Sequence, residues 1–269
     1  MNILIPMAGA GSRFVQEGYK IHKPAIPTID RRSGKEIPMV VAATLDLPSA
    51  NYDSCQKTNN IIYVDRDFHQ KDGVESEIKK FIPQAKFITI NYLTEGQAST
   101  CLLAKELIDN DEELLIAGCD NGMVFDEKKF ATMRKSSDVL VFTYRNNEAV
   151  LENPAAYGWI GVDAENKVTK VSVKKPISDN PLKDHAIVAT FWFKKGCDFV
   201  RATKKMIAQN DRINGEFYVD LVIKYCVELG LETKAFEIDR YIGWGTPKDY
   251  ENYQKTFKYW EGFVDVEKL

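Results

Sequence analysis

Short, continuous apolar runs alternate with amphipathic stretches through the first half of this 269-residue chain. Ile3-Leu4-Ile5-Pro6-Met7 opens it with no polar interruption, the pattern of a strand buried on both faces. Residues 59–65, 86–92, 113–117 and 139–143 repeat that pattern and predict further strands. Between them the spacing turns helical: Val74, Ile78, Phe81 and Ile82 share one face of a helix over 74–82. Helices are also expected over 38–47, where Pro38 suits a first turn, over 98–108 and over 128–135. Strand and helix in alternation predict an α/β fold, a three-layer, mixed, mostly parallel sheet with helices on both faces. Ligands of such sheets bind beyond the carboxyl ends of the strands. The stretch after the opening strand, the Gly96-Gln97 turn and Asp120 all fall at such ends.

The second half changes character. Residues 157–162, 167–173 and 186–193 read as strands with little helix between them, and 163–166 as a hairpin connection. Helices over 197–209 and 218–229, a strand over 233–238 and a last helix from Pro247 to about Trp260 complete the chain. Residues 47–60, polar and carrying Pro48, read as a loop insertion. No repeat, low-complexity stretch or linker divides the chain. It reads as one domain over 1–269, with halves of about 1–145 and 146–269.

The chemistry concentrates after the opening strand. In Ala8-Gly9-Ala10-Gly11-Ser12 the small residues let the backbone turn tightly and present N–H groups to an anion. Arg13 and Lys23 bring cations to the same mouth, which suits a polyphosphate. The dinucleotide fingerprint lacks its third glycine, and no lysine precedes a Ser or Thr as in a Walker loop. Alone, the loop would also suit a plain strand-to-helix turn. Gly9-Ala10-Gly11-Ser12-Arg13-Phe14 followed by Lys23-Pro24 resembles the loop G-x-G-[ST]-R-[FL]…K-P of the sugar-phosphate nucleotidylyltransferases, the pyrophosphorylases that make nucleotide sugars. The resemblance spans most of the chain. It implies a glycosyltransferase-A-like fold, a Rossmann-like nucleotide-binding half and an acceptor-binding half.

It also implies roles for single residues. The loop N–H groups and Arg13 would hold the departing β- and γ-phosphates, and Lys23 the α-phosphate. Asp120, after Gly118, matches the family's metal-binding G-D, although Cys119 intervenes and is expected to point into the core. A strand-end carboxylate suits Mg²⁺, which keeps waters and bridges phosphate oxygens; a turn or cap role is the plainer alternative. Gly96-Gln97 resembles the base-reading turn, and a side-chain amide can both donate to and accept from a base edge. Val171-Ser172-Val173-Lys174-Lys175-Pro176 resembles the E-K-P segment without its glutamate, leaving Lys174 or Lys175 to meet the acceptor phosphate. On a strand the two would face opposite ways. Glu216 in Asn214-Gly215-Glu216-Phe217-Tyr218 resembles the acceptor-pocket glutamate; a helix-dipole acid is the alternative. Gly243-Trp244-Gly245-Thr246-Pro247-Lys248-Asp249 resembles the closing D-x-G-T-P-x-D, but Gly243 stands where the second metal aspartate belongs. Asp239 or Asp220 could substitute, or Asp120 serve with phosphates and water.

A net charge of −3 gives no reason to expect a nucleic acid or an anionic membrane as partner. The five cysteines are scattered without C-x-x-C, as expected for reduced thiols in a cytoplasm, and neither a signal peptide nor a spanning segment is expected. Trp159, Trp192, Trp244, Tyr157 and Tyr241, at strand spacing, read first as core, with an aromatic cage for a quaternary amine as the alternative. His22, His69 and His185 are dispersed, without ligand spacing. The expectation is a Mg²⁺-dependent nucleotidylyltransferase joining CTP, UTP or dTTP to a sugar 1-phosphate or another small phosphoester. The alternatives are a glycosyltransferase, for which the second aspartate of D-x-D is missing after Asp120, and a nucleotide-binding regulatory relative without turnover. Base, acceptor and oligomeric state stay open.

Overall fold

Along β1 (Asn2–Pro6) the side chains alternate between two cores. Ile3 and Ile5 enter one hydrophobic cluster with Met39, Tyr63 and Leu115, and Leu4 enters the other with Ile62, Ile116 and Val141. A strand with a core on each face has no polar side, so its sequence is a continuous apolar run. The computed structural model describes residues 1–48 and 60–261; the loop insertion expected over 47–60 lies almost wholly outside them.

The strands after β1 are β2 (Pro27–Ile29), β3 (Glu36–Pro38), β4 (Asn60–Arg66), β5 (Lys86–Ile90), β6 (Leu114–Ile116), β7 (Asn121–Val124) and β8 (Val139–Tyr144). The second half adds β9 (Gly158–Val162), β10 (Val168–Val173), β11 (His185–Phe193), β12 (Thr233–Glu237) and β13 (Arg240–Gly243). Within the described residues a nine-stranded sheet runs β10-β9-β11-β6-β1-β4-β5, with β8 on β11 and β12 on β8. β1 is parallel to β4 and β6, and β4 to β5. β11 reverses the direction and joins the halves into one sheet. The expected mixed, mostly parallel α/β architecture is the one observed.

β11 has an irregularity that matters for the site. Phe191 to Phe193 pair with β6, whereas His185 and Ala186 pair with β9. Between them the register shifts and Ala189 sits at φ 57°. The Ala189 carbonyl accepts from Gly118 N at 3.0 Å, so this switch touches the loop that carries Asp120.

The structure departs from the sequence reading in places. The helix expected over 98–108 is two pieces, Gln97–Leu102 and Lys105–Ile108. Leu103 N and Ala104 N bond back to Thr100 O and Cys101 O, tightening the turn to i→i−3 spacing. Pro38 ends β3 and caps the helix Met39–Leu45 rather than opening it. Two antiparallel ribbons, β2–β3 and β7–β13, were not legible. Their strands have three or four residues and are specified by their partners, not by periodicity. Cys101, Cys119, Cys197 and Cys226 are free thiols, and Cys55 lies outside the described residues. Among the described residues no helix is long and apolar enough to cross a membrane.

Candidate functional site

Beyond the carboxyl end of β1, Gly11 takes φ 60° and caps the five-residue helix Ser12–Gln16. Phe14 anchors that helix: it is 1% exposed and meets the Tyr19 ring edge-on at 5.1 Å. Lys23 opens a single 3₁₀ turn with buried Pro24 behind it. A Cβ on Gly11 would lie 3.5 Å from that of Lys23, so the loop closes directly over the lysine stem. The Lys23 ammonium pairs with the Asp120 carboxylate and lies 5.9 Å from the Phe14 ring centre. Burial works against that ammonium, but Asp120 more than offsets it, and the pKa of Lys23 stands above its ordinary value.

A cavity of about 230 Å³ is lined by Gly9, Gly11, Lys23, Gln97, Cys119 and Asp120. Ala10 lies on its rim, whereas Ala8 is buried beneath it and offers backbone alone. Ser12 is exposed on the helix Ser12–Gln16. Arg13 borders a neighbouring groove with Thr246 and Lys248, within electrostatic reach of Lys23, Tyr157 and Tyr218. Cys119 packs against the hydrophobic core, as expected, and also lines the cavity. Burial, then the Asp120 charge, pushes its thiol up to about 12, which keeps it neutral.

Part of the cavity lining escaped the sequence reading: Ile21, His22, Phe68 and His69. Phe68 and His69 follow β4 with Asp67 between, and that position at a parallel-strand carboxyl end was the available clue. The histidines are not all dispersed: the His22 and His69 rings lie 5.3 Å apart. His22 Nε2 meets Asp72 Oδ2 at 2.6 Å. Burial, with His22 and Arg66 nearby, lowers His69 to about 4, and its neutral Nδ1 accepts from Arg66 N at 3.2 Å. Among the described residues no cluster of three or more His, Cys, Asp or Glu side chains could hold a metal ion.

The Gly96-Gln97 turn is clasped by the second half. Phe217 N donates to Glu95 O at 2.7 Å, and Ala98 N donates to Phe217 O at 2.9 Å. This brings Glu216 beside Gly96, where its carboxylate accepts from Tyr218 Oη at 2.5 Å. Lys174 and Lys175 lie beyond the end of β10, so strand alternation does not govern them. Lys174 takes φ 62°, donates its backbone N–H to Tyr157 O at 2.9 Å, and places Nζ 5.1 Å from the Tyr218 ring centre. Lys175 contributes its carbonyl to Ser172 Oγ at 2.6 Å.

Gly243 lies opposite Asn121 in the β13–β7 ribbon, next to the Asp120 loop. A Cβ there would come within 3.0 Å of Cε1 and 3.3 Å of Oη of Tyr241. Tyr241 itself stacks on Tyr144 at 4.4 Å and 4°. A side chain at 243 would therefore press against the Tyr241 ring. The two possible substitutes lie elsewhere: Asp239 sits at the far end of that ribbon, its N–H on Val124 O, and Asp220 packs on Gly158 near Lys174. The core reading holds for Trp159, Trp192 and Trp244, which are buried, and the cage alternative falls. Tyr157 and Tyr241 do line a second cavity of about 210 Å³, with Asn147, Gly243, Asp249 and Asn252.

No protein-family model and no curated protein matches the chain. Solved structures match its fold. A nucleoside-diphosphate-sugar pyrophosphorylase from Vibrio cholerae RC9 superposes with TM-score 0.75 at 20% identity, over 94% of this chain and 99% of that one. The inositol-1-phosphate CTP transferase of T. maritima gives TM-score 0.65 at 13% identity, over 96% of each chain. A UDP-glucose pyrophosphorylase complexed with UDP-glucose gives 0.66 at 15%, over 96% of this chain and 98% of that one.

Proposed function

We propose that the chain is a nucleotidylyltransferase that joins a nucleoside triphosphate to a sugar 1-phosphate or similar small phosphoester, releasing pyrophosphate. It would work in the cytoplasm, in nucleotide-sugar or surface-polysaccharide synthesis. One observation carries the reading: the Lys23–Asp120 pair sits in a glycine-walled cavity at the carboxyl ends of parallel strands. The fold neighbours, named for pyrophosphorylase and nucleotidyl-transfer activities, support it.

In this reading an acceptor phosphate oxygen attacks the α-phosphorus of the triphosphate, and the bond to the bridging oxygen of the β-phosphate breaks. The attacking group is already anionic, so no strong general base is needed. Catalysis then rests on alignment and neutralisation of charge. Lys23 would meet the α-phosphate, the N–H groups around Gly9 to Ser12 and Arg13 the departing phosphates, and Lys174 the acceptor phosphate. A lone carboxylate fits Mg²⁺ when phosphate oxygens and water complete the shell, so Asp120 would hold the ion. When bound, Mg²⁺ would neutralise triphosphate charge.

The test is pyrophosphate release from a matrix of nucleoside triphosphates against sugar 1-phosphates and small phosphoesters, with Mg²⁺ and an Asp120→Ala control. Release confined to one pair and lost in the control supports the reading and names CTP, UTP, dTTP or another donor. Nucleotide binding with no release from any pair rejects it in favour of a regulatory relative. Lys174→Ala is expected to raise the acceptor KM roughly tenfold, the loss of one charged hydrogen bond, and Lys175→Ala less than about twofold. Initial rates over an acceptor titration separate the two, and a larger effect at Lys175 would reverse the assignment.

A further inference from the structure

Asp220 is a carboxylate without a hydrogen-bond partner, in a place that has room made for it. It lies in the first turn of the helix Val219–Glu228 and packs over Gly158. A Cβ at 158 would fall 2.7 Å from its Cγ and 3.0 Å from Oδ1, so only glycine leaves the carboxylate where it is. Among the described residues no donor bonds to it, and Lys174 is its one charged neighbour. Burial pushes its pKa up to about 6, with Lys174 pulling the other way. An acid kept only for the helix dipole would sit in solvent and need no glycine beneath it. A half-buried carboxylate with no donor on it can take a ligand that donates to it.

The surroundings say where that donor comes from. Tyr218 Oη is committed to Glu216, and Lys174 lies over the Tyr218 ring. Lys174 is also tied to β9 through Tyr157, the residue before Gly158. A cation and an unpaired acid thus flank one small region at the start of β9. We propose that Asp220 reads a hydrogen-bond donor on the phosphorylated acceptor, a hydroxyl or an ammonium, close to the phosphate that Lys174 holds. This rests on the transferase reading above. The phosphate dianion offers no donor and is repelled by Asp220, so the acid fixes which end of the acceptor turns toward Lys174. Asp220 is then a specificity residue, not a metal ligand.

The test compares wild type, Asp220→Asn and Gly158→Ala on glucose 1-phosphate, phosphoethanolamine and methyl phosphate, which carries no donor on its carbon part. For whichever of the first two the wild type uses, D220N is expected to raise the acceptor KM about ten- to hundredfold, with the nucleotide KM unchanged. The responding compound tells a hydroxyl from an ammonium. Methyl phosphate, measured by competition, should bind both forms alike. The ratio of variant to wild-type KM should grow as pH rises through about 6, because the ionised acid accepts more strongly than either the protonated acid or the asparagine amide. G158A keeps the carboxylate but displaces it, and should raise the same KM. Melting temperatures check folding, and D220N should melt no lower than wild type. A wild type that turns over an acceptor while both variants keep its KM overturns the inference. A wild type silent on every pair rejects the transferase reading and this inference with it.

Discussion

Lys23→Ala is expected to slow pyrophosphate release by about 10²- to 10³-fold at saturating substrates, the range for removing one preorganised charge from a transition-state site. The ammonium is enclosed by the Gly11 turn, Phe14 and Asp120. Charge in such surroundings acts more strongly than in water. Its raised pKa keeps it protonated through the neutral and mildly alkaline range, so no rate loss over that range should trace to this residue. The fold should survive, because Asp120 retains 28% of its side-chain exposure and water can solvate it once the lysine is gone. Lys23→Arg preserves charge but brings a broad planar fork into a space shaped for a point charge, and should restore only part of the rate. Lys23 and Asp120 form one unit, so the double variant Lys23→Ala/Asp120→Asn should be little slower than the slower single variant. Single-turnover rates with calorimetric nucleotide affinities check this. A K23A protein with wild-type turnover would remove Lys23 from the machinery.

What the sequence revealed follows from how locally each feature is specified. Ile3-Leu4-Ile5 has a core on both faces, so its apolar run marks a central strand without knowledge of its partners. The Gly9 to Lys23 stretch is legible for the same reason: turn, helix and cations are contiguous. Asp120 was found through its place after β6. The β7–β13 ribbon was missed because Asn121 to Val124 form a strand only when Arg240 to Gly243 arrive from the far end of the chain. With it went the finding that Tyr241 occupies the space beside Gly243. The choice between Lys174 and Lys175 rested on strand alternation, whereas the chain turns left-handed at Lys174, just past β10. The tryptophans read as core from their strand spacing, and neighbours drawn from both halves do bury them.

The junction of the halves gives the other large expected effect. Gly96 combines φ 112° with ψ 175°, a region that only glycine enters readily, at a cost of about 1–3 kcal/mol for other residues. A Cβ there would also lie 2.7 Å from both N and O of Phe217. Those are backbone atoms, each committed to its own hydrogen bond with Glu95 or Ala98, so they cannot yield as a flexible side chain would. Gly96→Ala should therefore destabilise by roughly 3 kcal/mol or more and lower Tm by about 6–12 °C. It should also raise KM for both substrates, since the clasp holds Gln97 of one half against Glu216 of the other. Gly215→Ala is the control. Gly215 takes φ 80° nearby, but nothing lies within 4 Å of the Cβ it would gain. It should pay only the left-handed backbone cost, about 1–2 kcal/mol. Equal losses in Tm and equal kinetics for the two variants would mean that the close approach of Gly96 to Phe217 does not hold the site together. A clear excess at Gly96, with both KM values rising, would mark this contact as the hinge on which nucleotide and acceptor sites are aligned.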